Sequence, residues 1–135
     1  MKLTLLLATS AAFLGVASAL PTDTEEVAPN GIGKVTWFYP GLGACGKRHT
    51  QNDMVAALNS QEFDRYGPRN DPSKNPRCGN ILRVTYGGKS VDVTIVDRCE
   101  GCVRGGINLS PAAFGKLANL DVGVIYADWR WIKWD

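Results

Sequence analysis

Four cysteines limit the folds open to this chain more than any other feature of its sequence. They are Cys45, Cys78, Cys99 and Cys102. An even number of cysteines in a short secreted chain favours two disulfides, and four cysteines can pair in three ways. We favour Cys45–Cys78 with Cys99–Cys102, because the second pair forms a C-x-x-C motif in which Gly101 lets a small loop close. The first bridge would stabilise the fold by about 3–4 kcal/mol by constraining the unfolded chain.

The N-terminus predicts an oxidising compartment for these cysteines. Residues 1–19 contain Lys2, then an apolar run, then Ala17-Ser18-Ala19, an order typical of a secretory signal peptide. A membrane anchor is the weaker alternative, because the apolar run is short for a bilayer. We expect cleavage after Ala19 and a secreted chain. Residues 20–30 are acidic and contain two prolines, which predicts a flexible leader, with a short pro-segment as the alternative.

Charge argues against nucleic acid and membranes as partners. Without Lys2 the 15 basic residues become 14, against 13 acidic residues, so the net charge of the mature chain is about +1. This balance is too weak to attract nucleic acid or an anionic membrane surface. The remaining length suits one domain with a modest core, spanning residues 31–135. We expect that domain to be a monomer.

The C-x-x-C motif has two alternative interpretations besides a disulfide. A zinc site would need two more ligands, but Cys45 and Cys78 are single cysteines and His49 is the only histidine. A thioredoxin-like site would need a helix that begins within the motif, whereas here a predicted strand precedes it and glycines follow. We therefore predict a structural disulfide that shapes a loop, and neither a metal nor a cofactor.

Runs of β-branched and aromatic residues predict strands along most of the chain. The predicted strands cover residues 33–39, 81–86, 89–96 and 122–134, with Gly87-Gly88 as the turn of a hairpin. Short helices are predicted at 52–59, capped by Asn52 or Asp53, and at 110–117, with Ser110 as N-cap and Pro111 in the first turn. Residues 60–79 are predicted to form an irregular exposed loop. Many short strands with small helices indicate a compact, mainly β barrel.

An ordered set of short motifs resembles a known family. The motifs are Val35-Thr36-Trp37-Phe38-Tyr39, Gly43-Ala44-Cys45-Gly46, Asn52-Asp53, Cys78-Gly79, Val93-Thr94-Ile95-Val96-Asp97 and Leu109-Ser110-Pro111. The set is similar to the RlpA-like double-psi β-barrel family, and most of all to its small secreted fungal members related to expansins and loosenins. This resemblance covers about residues 31–135. It implies a mainly β, six-stranded double-psi β-barrel with two or three short helices and an open groove for a polysaccharide.

Five residues are candidates for binding in that groove: Thr36, Trp37, Tyr39, Asp97 and Asn108. The resemblance places Thr36 and Tyr39 on the groove floor and Asp97 at the end of the strand before a variable loop. Hydroxyl, amide and carboxylate groups suit sugar hydroxyls, and aromatic faces suit sugar C–H surfaces. From the residues alone, Trp37 more often belongs to a core. Asp97 could instead cap the Cys99–Cys102 loop through backbone N–H groups.

Asn108 departs from the pattern that the resemblance implies. Expansin-like members usually have Asp-Leu-Ser before the proline, and that Asp is associated with wall-loosening or lytic activity. Glycosidic cleavage needs a proton donor at the leaving oxygen, and the amide of Asn cannot serve as one. We therefore predict no catalytic residue.

The predicted function is that of a secreted, non-hydrolytic, expansin- or loosenin-like protein that binds cell-wall polysaccharide. Chitin, cellulose and a peptidoglycan-like polymer are the candidate polysaccharides, and binding could loosen the wall. The alternative is a protein-binding module, such as a barwin-like inhibitor of a secreted protease or an effector that binds a host protein. A weak glycan-cleaving enzyme is the third possibility.

Overall fold

Six strands and two short α-helices make up the part of the chain that the computed structural model describes, residues 31–134. The strands are β1 (Gly31–Trp37), β2 (Val55–Asn59), β3 (Ile81–Tyr86), β4 (Lys89–Cys99), β5 (Ile107–Leu109) and β6 (Ile125–Lys133). The helices are α1 (Ser60–Tyr66) and α2 (Pro111–Gly115), and 3₁₀ turns lie at Pro72–Lys74 and Leu120–Val122. The predicted signal peptide and leader fall outside the described residues.

The strands close into a mixed barrel in the order β1-β5-β2-β4-β3-β6. Strands β1 and β5 pair in parallel, as do β2 and β4, and the remaining neighbours are antiparallel. Closure gives each of these six strands a partner on both sides, which removes exposed edges. The predicted mainly β, six-stranded barrel with short helices is confirmed. Within residues 31–134, no helix combines the length and apolarity needed to cross a membrane.

Alternation along the strands puts the core inside the barrel. In β3, for example, Leu82 and Val84 are fully buried, whereas Arg83 between them is partly exposed. The largest fully buried side chains are Trp129, Phe63, Phe114, Leu58, Leu82, Ile95, Ile107 and Leu109. Burial of each large apolar side chain contributes about 1.5–3 kcal/mol, so this cluster supplies much of the driving force for folding.

The prediction of a helix over residues 52–59 is wrong. Val55–Asn59 is instead the wholly buried strand β2, which lies between β4 and β5. A short apolar run with two alanines fits a buried strand as well as a helix, and pairing on both sides decides in favour of the strand. The helix begins at Ser60, and its N-cap is Asn59, whose Oδ1 accepts from the Glu62 N–H at 2.9 Å.

Residues 60–79 are more ordered than the predicted irregular loop, because they contain α1 and the turn at Pro72–Lys74. Asn75 fixes this segment from within. Its Nδ2 donates to the Phe63 carbonyl at 2.7 Å, and its Oδ1 accepts from the Arg77 N–H at 2.8 Å. The abundance of turn-forming residues reflects these caps and turns.

Other sequence predictions are confirmed. The hairpin turns at Gly87-Gly88, both of which have positive φ. Helix α2 has Pro111 in its first turn, and the Ser110 hydroxyl accepts from the Ala113 N–H. The same hydroxyl donates to the Asp53 carbonyl at 2.6 Å, so the cap also holds the segment before β2.

Both predicted disulfides are present. Cys45–Cys78 ties the segment after β1 to the segment before β3, and Cys99–Cys102 closes a small loop at the end of β4. The described residues include no free cysteine. The first bridge encloses the part of the chain that contains β2 and α1, so it restricts a large loop in the unfolded state.

Gly33 allows β1 to pass against the loop that leads into β5. A Cβ at residue 33 would lie 2.0 Å from the Gly105 carbonyl oxygen. That oxygen accepts from the buried Trp129 Nε1 at 2.9 Å, and the neighbouring Gly106 oxygen accepts from Asn59 Nδ2 at 3.0 Å. Because both carbonyls are held, the loop has little freedom to move away from a larger residue.

We expect Gly33→Ala to lower the free energy of unfolding by about 2–3 kcal/mol, since overpacking against fixed backbone costs that much. Gly41→Ala is the control, because a Cβ there has no neighbour within 4 Å. Its effect should stay within about 0.5 kcal/mol. Urea unfolding followed by tryptophan fluorescence measures both. A Gly33→Ala variant as stable as the control would contradict the proposed close packing.

Candidate functional site

A row of paired positions crosses four adjacent strands of the barrel, and its polar members are partly exposed whereas Ala57 is buried. Thr36 on β1 lies opposite Asn108 on β5, and Asn108 lies opposite Ala57 on β2. Ala57 in turn lies opposite Asp97 on β4. Three of the residues predicted to bind ligand therefore share one row, although Thr36 and Asp97 lie 61 positions apart in the sequence.

Alternation explains why Thr36 and Asn108 face outward. Val35 is buried before Thr36, and Asn108 is the partly exposed residue between the buried Ile107 and Leu109. The Thr36 hydroxyl donates to Asn108 Oδ1 at 2.8 Å. The Asn108 amide nitrogen points towards the disulfide, with Nδ2 3.8 Å from Cys99 Sγ. This contact with sulfur is weak, so the amide keeps its capacity to donate to a ligand.

A surface pocket of about 330 Å³ opens over this part of the row. Its lining residues are Lys34, Thr36, Cys99, Gly101, Cys102, Val103 and Asn108. The volume lies within the range of small-ligand sites. The Cys99–Cys102 disulfide and Val103 form an apolar wall, and Thr36 and Asn108 supply hydroxyl and amide groups. The disulfide thus shapes a pocket as well as a loop.

A β-bulge determines the direction of Asp97. Ala56 pairs with Ile95, but Ala57 pairs with Asp97, so Val96 is an extra residue in β4. Ile95 and Val96 are both buried, and Asp97 then returns to the partly exposed face. Bulges often redirect a side chain in this way. Asp97 and Asn108 remain two strands apart, about 10 Å between Cα atoms at the usual strand spacing.

Asp97 does not cap the Cys99–Cys102 loop. Its Oδ1 accepts from the Ala44 N–H and from the Arg98 N–H, both at 2.8 Å. The first bond fixes the segment that contains Gly43, where a Cβ would lie 2.3 Å from the Val96 carbonyl oxygen. The prediction that Asp97 accepts from backbone N–H groups is therefore confirmed. The donors belong to Ala44 and Arg98, however, and not to the Cys99–Cys102 loop. The second carboxylate oxygen remains able to accept from a ligand.

Trp37 and Tyr39 lie beyond the pocket, near the end of β1. Trp37 is partly buried against the core, and its Nε1 donates to the Leu120 carbonyl at 3.0 Å. Tyr39 is 66% exposed, and its ring meets the Trp37 ring edge to face, with centroids 5.4 Å apart. Trp37 therefore supports an exposed aromatic side chain. Of the five predicted binding residues, Thr36 and Asn108 alone line the pocket over the disulfide.

Lys34 and Val103 are pocket residues that the sequence predictions missed. Lys34 precedes Thr36 by two positions in β1, so the alternation of a strand would have placed both on one face. Val103 had no comparable signal, because its position depends on the conformation of the loop after the disulfide. Within residues 31–134, no group of three or more His, Cys, Asp or Glu side chains is arranged to hold a metal ion.

Arg98 joins the end of β4 to α1. Its Nε and Nη2 donate to the two carboxylate oxygens of Asp64, each at 2.8 Å. The side chains are 31% and 22% exposed, and Glu100 lies 3.7 Å from Arg98 Nη1. The hydrogen bonds from Arg98 hold the pKa of Asp64 below its usual range, although partial burial opposes this shift. The pair thereby fixes the chain directly after Asp97.

The fold and the site define a double-psi β-barrel protein with a polar pocket on its outer face. A family model described as lytic transglycolase matches residues 30–129. The chain belongs to this RlpA-like double-psi β-barrel family, as the sequence motifs indicated. The family model is named after an enzyme, a lytic transglycolase, but a protein named as an inhibitor is also similar to this chain.

That relative is the papain inhibitor of Streptomyces mobaraensis, 36% identical over 106 residues that cover 75% of this chain and 71% of the relative. The solved structure of the Streptomyces papain inhibitor superposes with a TM-score of 0.67 at 33% identity, covering 74% of this chain and 91% of that one. Both the sequence and the fold are therefore similar to those of an inhibitor.

A mutant Clavibacter michiganensis expansin, crystallised in complex with cellohexaose, is also similar. Its TM-score is 0.63 at 27% identity, over 76% of this chain and 50% of that chain. The EG45-like domain containing protein 2 of Arabidopsis thaliana is 31% identical over 105 residues, 69% of this chain and 74% of the relative. The expected expansin-like and inhibitor-like relationships are both present.

The Arg98–Asp64 pair should make stability depend on pH. Because the folded-state pKa of Asp64 is lowered, its carboxylate stabilises the fold above the unfolded pKa of about 3.9. That contribution is lost as the pH falls through the folded-state pKa. We expect Asp64→Asn to lower the free energy of unfolding by about 1 kcal/mol at pH 7, allowing for solvent screening. The difference from wild type should shrink below about pH 4.

Urea unfolding at pH 7 and pH 3 measures this dependence. Asp92→Asn is the matched control, because it removes an Asp–Arg pair with two hydrogen bonds that is more exposed. It should have little effect at either pH. A loss of stability in Asp64→Asn that is as large at pH 3 as at pH 7 would show that the ion pair is not its cause.

Proposed function

We propose that the protein is secreted and binds a cell-wall polysaccharide through the row of Thr36, Asn108 and Asp97, without cleaving it. The observation that carries this proposal is the alignment of hydroxyl, amide and carboxylate groups across neighbouring strands. A related expansin has been crystallised with cellohexaose, which supports a glycan as the ligand. The two disulfides fit the oxidising environment that secretion provides.

The chemistry of the row suits sugar hydroxyls. The Asn108 amide nitrogen donates, the free oxygen of Asp97 accepts, and the Thr36 oxygen accepts while its proton is held by Asn108. Tyr39, exposed three residues after Thr36, offers an aromatic face near one end of the row. Hydroxyl-rich chains bind well to such surfaces, since polar groups fix their direction and rings cover their C–H faces.

Two features support binding without cleavage. Asn108 has no proton that it can give to a leaving oxygen. Asp97 is the one carboxylate of the row, so the row lacks the second carboxylate that usually assists glycosidic cleavage. The row therefore presents hydrogen-bonding groups but lacks the pair of carboxylates that usually cleaves a glycosidic bond.

Inhibition of a cysteine protease is a second candidate function. The 36% identity to a papain inhibitor favours it. Leu42, which is 63% exposed, follows Tyr39 in the same loop, and protein interfaces commonly contain such apolar and aromatic residues. A papain assay with the purified protein distinguishes this function from polysaccharide binding, because inhibition without retention on any wall polymer would favour the protease.

Retention on insoluble chitin, cellulose and peptidoglycan tests the proposed glycan site. We expect Tyr39→Ala to weaken retention by up to about tenfold, since one aromatic contact contributes on the order of 1 kcal/mol. Tyr86→Ala is the control, because Tyr86 lies in the β3–β4 hairpin and outside the row. Equal retention of the two folded variants would remove Tyr39 from the site. A wild-type protein that is retained on no polysaccharide would overturn the proposed function.

A reducing-end assay on the same samples tests the absence of cleavage. We expect wild type to release no reducing ends. Asn108→Asp is nearly isosteric and can keep the hydrogen bond from Thr36, so it should fold. It should create either weak cleavage or none, because its Cα lies about 10 Å from that of Asp97, which leaves the two carboxylates a wide separation for an inverting pair. Robust wild-type cleavage would contradict the proposal, whether or not Asp97→Asn abolishes it.

A further inference from the structure

We infer that the pocket over the Cys99–Cys102 disulfide selects a polysaccharide that carries carboxylate groups, and that Lys34 and Asn108 determine this preference. The inference rests on the proposed glycan-binding function and names the class of glycan. It follows from the charge and the hydrogen-bonding groups of the pocket.

Lys34 is the one charged residue among those that line the pocket. It forms no salt bridge with any residue in the range 31–134. Glu100 lies beside Arg98, and one oxygen of Asp97 accepts from two backbone N–H groups. Asp128 lies opposite Ile32, on the same outward face as Lys34, but it forms no ion pair with Lys34 and does not line the pocket. An ammonium group in a partly enclosed pocket, without an ion-paired carboxylate, favours a negatively charged ligand.

Asn108 supplies a hydrogen-bond donor in the same pocket as the Lys34 ammonium group. Its Oδ1 is taken by the Thr36 hydroxyl, which turns the amide nitrogen towards the pocket wall formed by Cys99. A carboxylate accepts hydrogen bonds and donates none, so it matches an amide donor next to an ammonium. An aspartate at this position would place a negative charge in the same pocket, where it would pair with Lys34 and repel an anionic ligand.

The surroundings of Lys34 suit a sugar ring as well as its acid group. Tyr126 on β6 lies directly opposite Lys34 and is exposed, and Val103 with the disulfide forms an apolar wall. A uronic acid unit could place its ring against these surfaces and its carboxylate at Lys34. The pocket therefore fits a polyuronate better than a neutral chain.

The experiment compares oligogalacturonate with its fully methyl-esterified form, which has the same sugar chain without the charge, and with neutral cellohexaose. Titration calorimetry of the purified protein at low and at high salt gives the dissociation constants. We expect wild type to bind the acid about fivefold more tightly than the ester at low salt, and high salt should reduce this ratio. Lys34→Met should bring the ratio to about one, whereas Lys34→Arg should preserve it.

Two further variants test whether the preference for the acid arises from the charge of the pocket or from a general effect of substitution on the protein. Asn108→Asp should weaken binding of the acid more than binding of the ester or of cellohexaose, because it adds a negative charge beside Lys34 as well as removing an amide donor. Lys89→Met removes an exposed lysine in the β3–β4 hairpin and should keep the wild-type ratio. Equal binding of acid and ester by wild type would overturn the inference and leave glycan binding intact. Failure to bind any of the three glycans would overturn the proposed function itself.

Discussion

The contact between Gly33 and the Gly105 carbonyl is the constraint on which the barrel depends. Strands β1 and β5 can pair in parallel only if the loop before β5 passes close to β1. A residue without a side chain permits that approach, and the indole of Trp129 satisfies the carbonyl that becomes buried. Because a buried carbonyl without a partner costs about 1–3 kcal/mol, Trp129 is needed as much as the glycine. The Thr36–Asn108 pair lies three residues after this contact along both strands, so the contact helps to set the register of that pair.

The fold could be predicted where the sequence pattern is local. The Gly87-Gly88 turn, the Ser110 cap and the cysteine pairs each depend on neighbouring residues or on a covalent bond, and each prediction is confirmed. Strand β2 could not be predicted in this way. Its apolar run has no distinctive period, and its conformation is decided by two strands that lie far away in the sequence.

The candidate site was predictable in part for the same reason. Family resemblance indicated Thr36, Asp97 and Asn108, and the barrel aligns them in one row. The bulge at Val96, which turns Asp97 outward, has no signature in the residues themselves. The outward position of Lys34 follows from strand alternation, but the pocket around it depends on a wall that the Cys99–Cys102 disulfide supplies. Local periodicity thus gives the face of a side chain, and tertiary structure gives its surroundings.

The division between inward and outward strand positions has a consequence for how such proteins diversify. Val35 and Ile107 are completely buried, whereas Lys34 and Asn108 beside them are in contact with solvent. Replacement of an outward residue changes the ligand chemistry at little expense to the core. Single substitutions at outward positions can therefore change which ligand is bound while the buried core stays the same. An ancestral barrel with this arrangement could give rise to descendants as different as an inhibitor and an expansin, without passing through unstable intermediates.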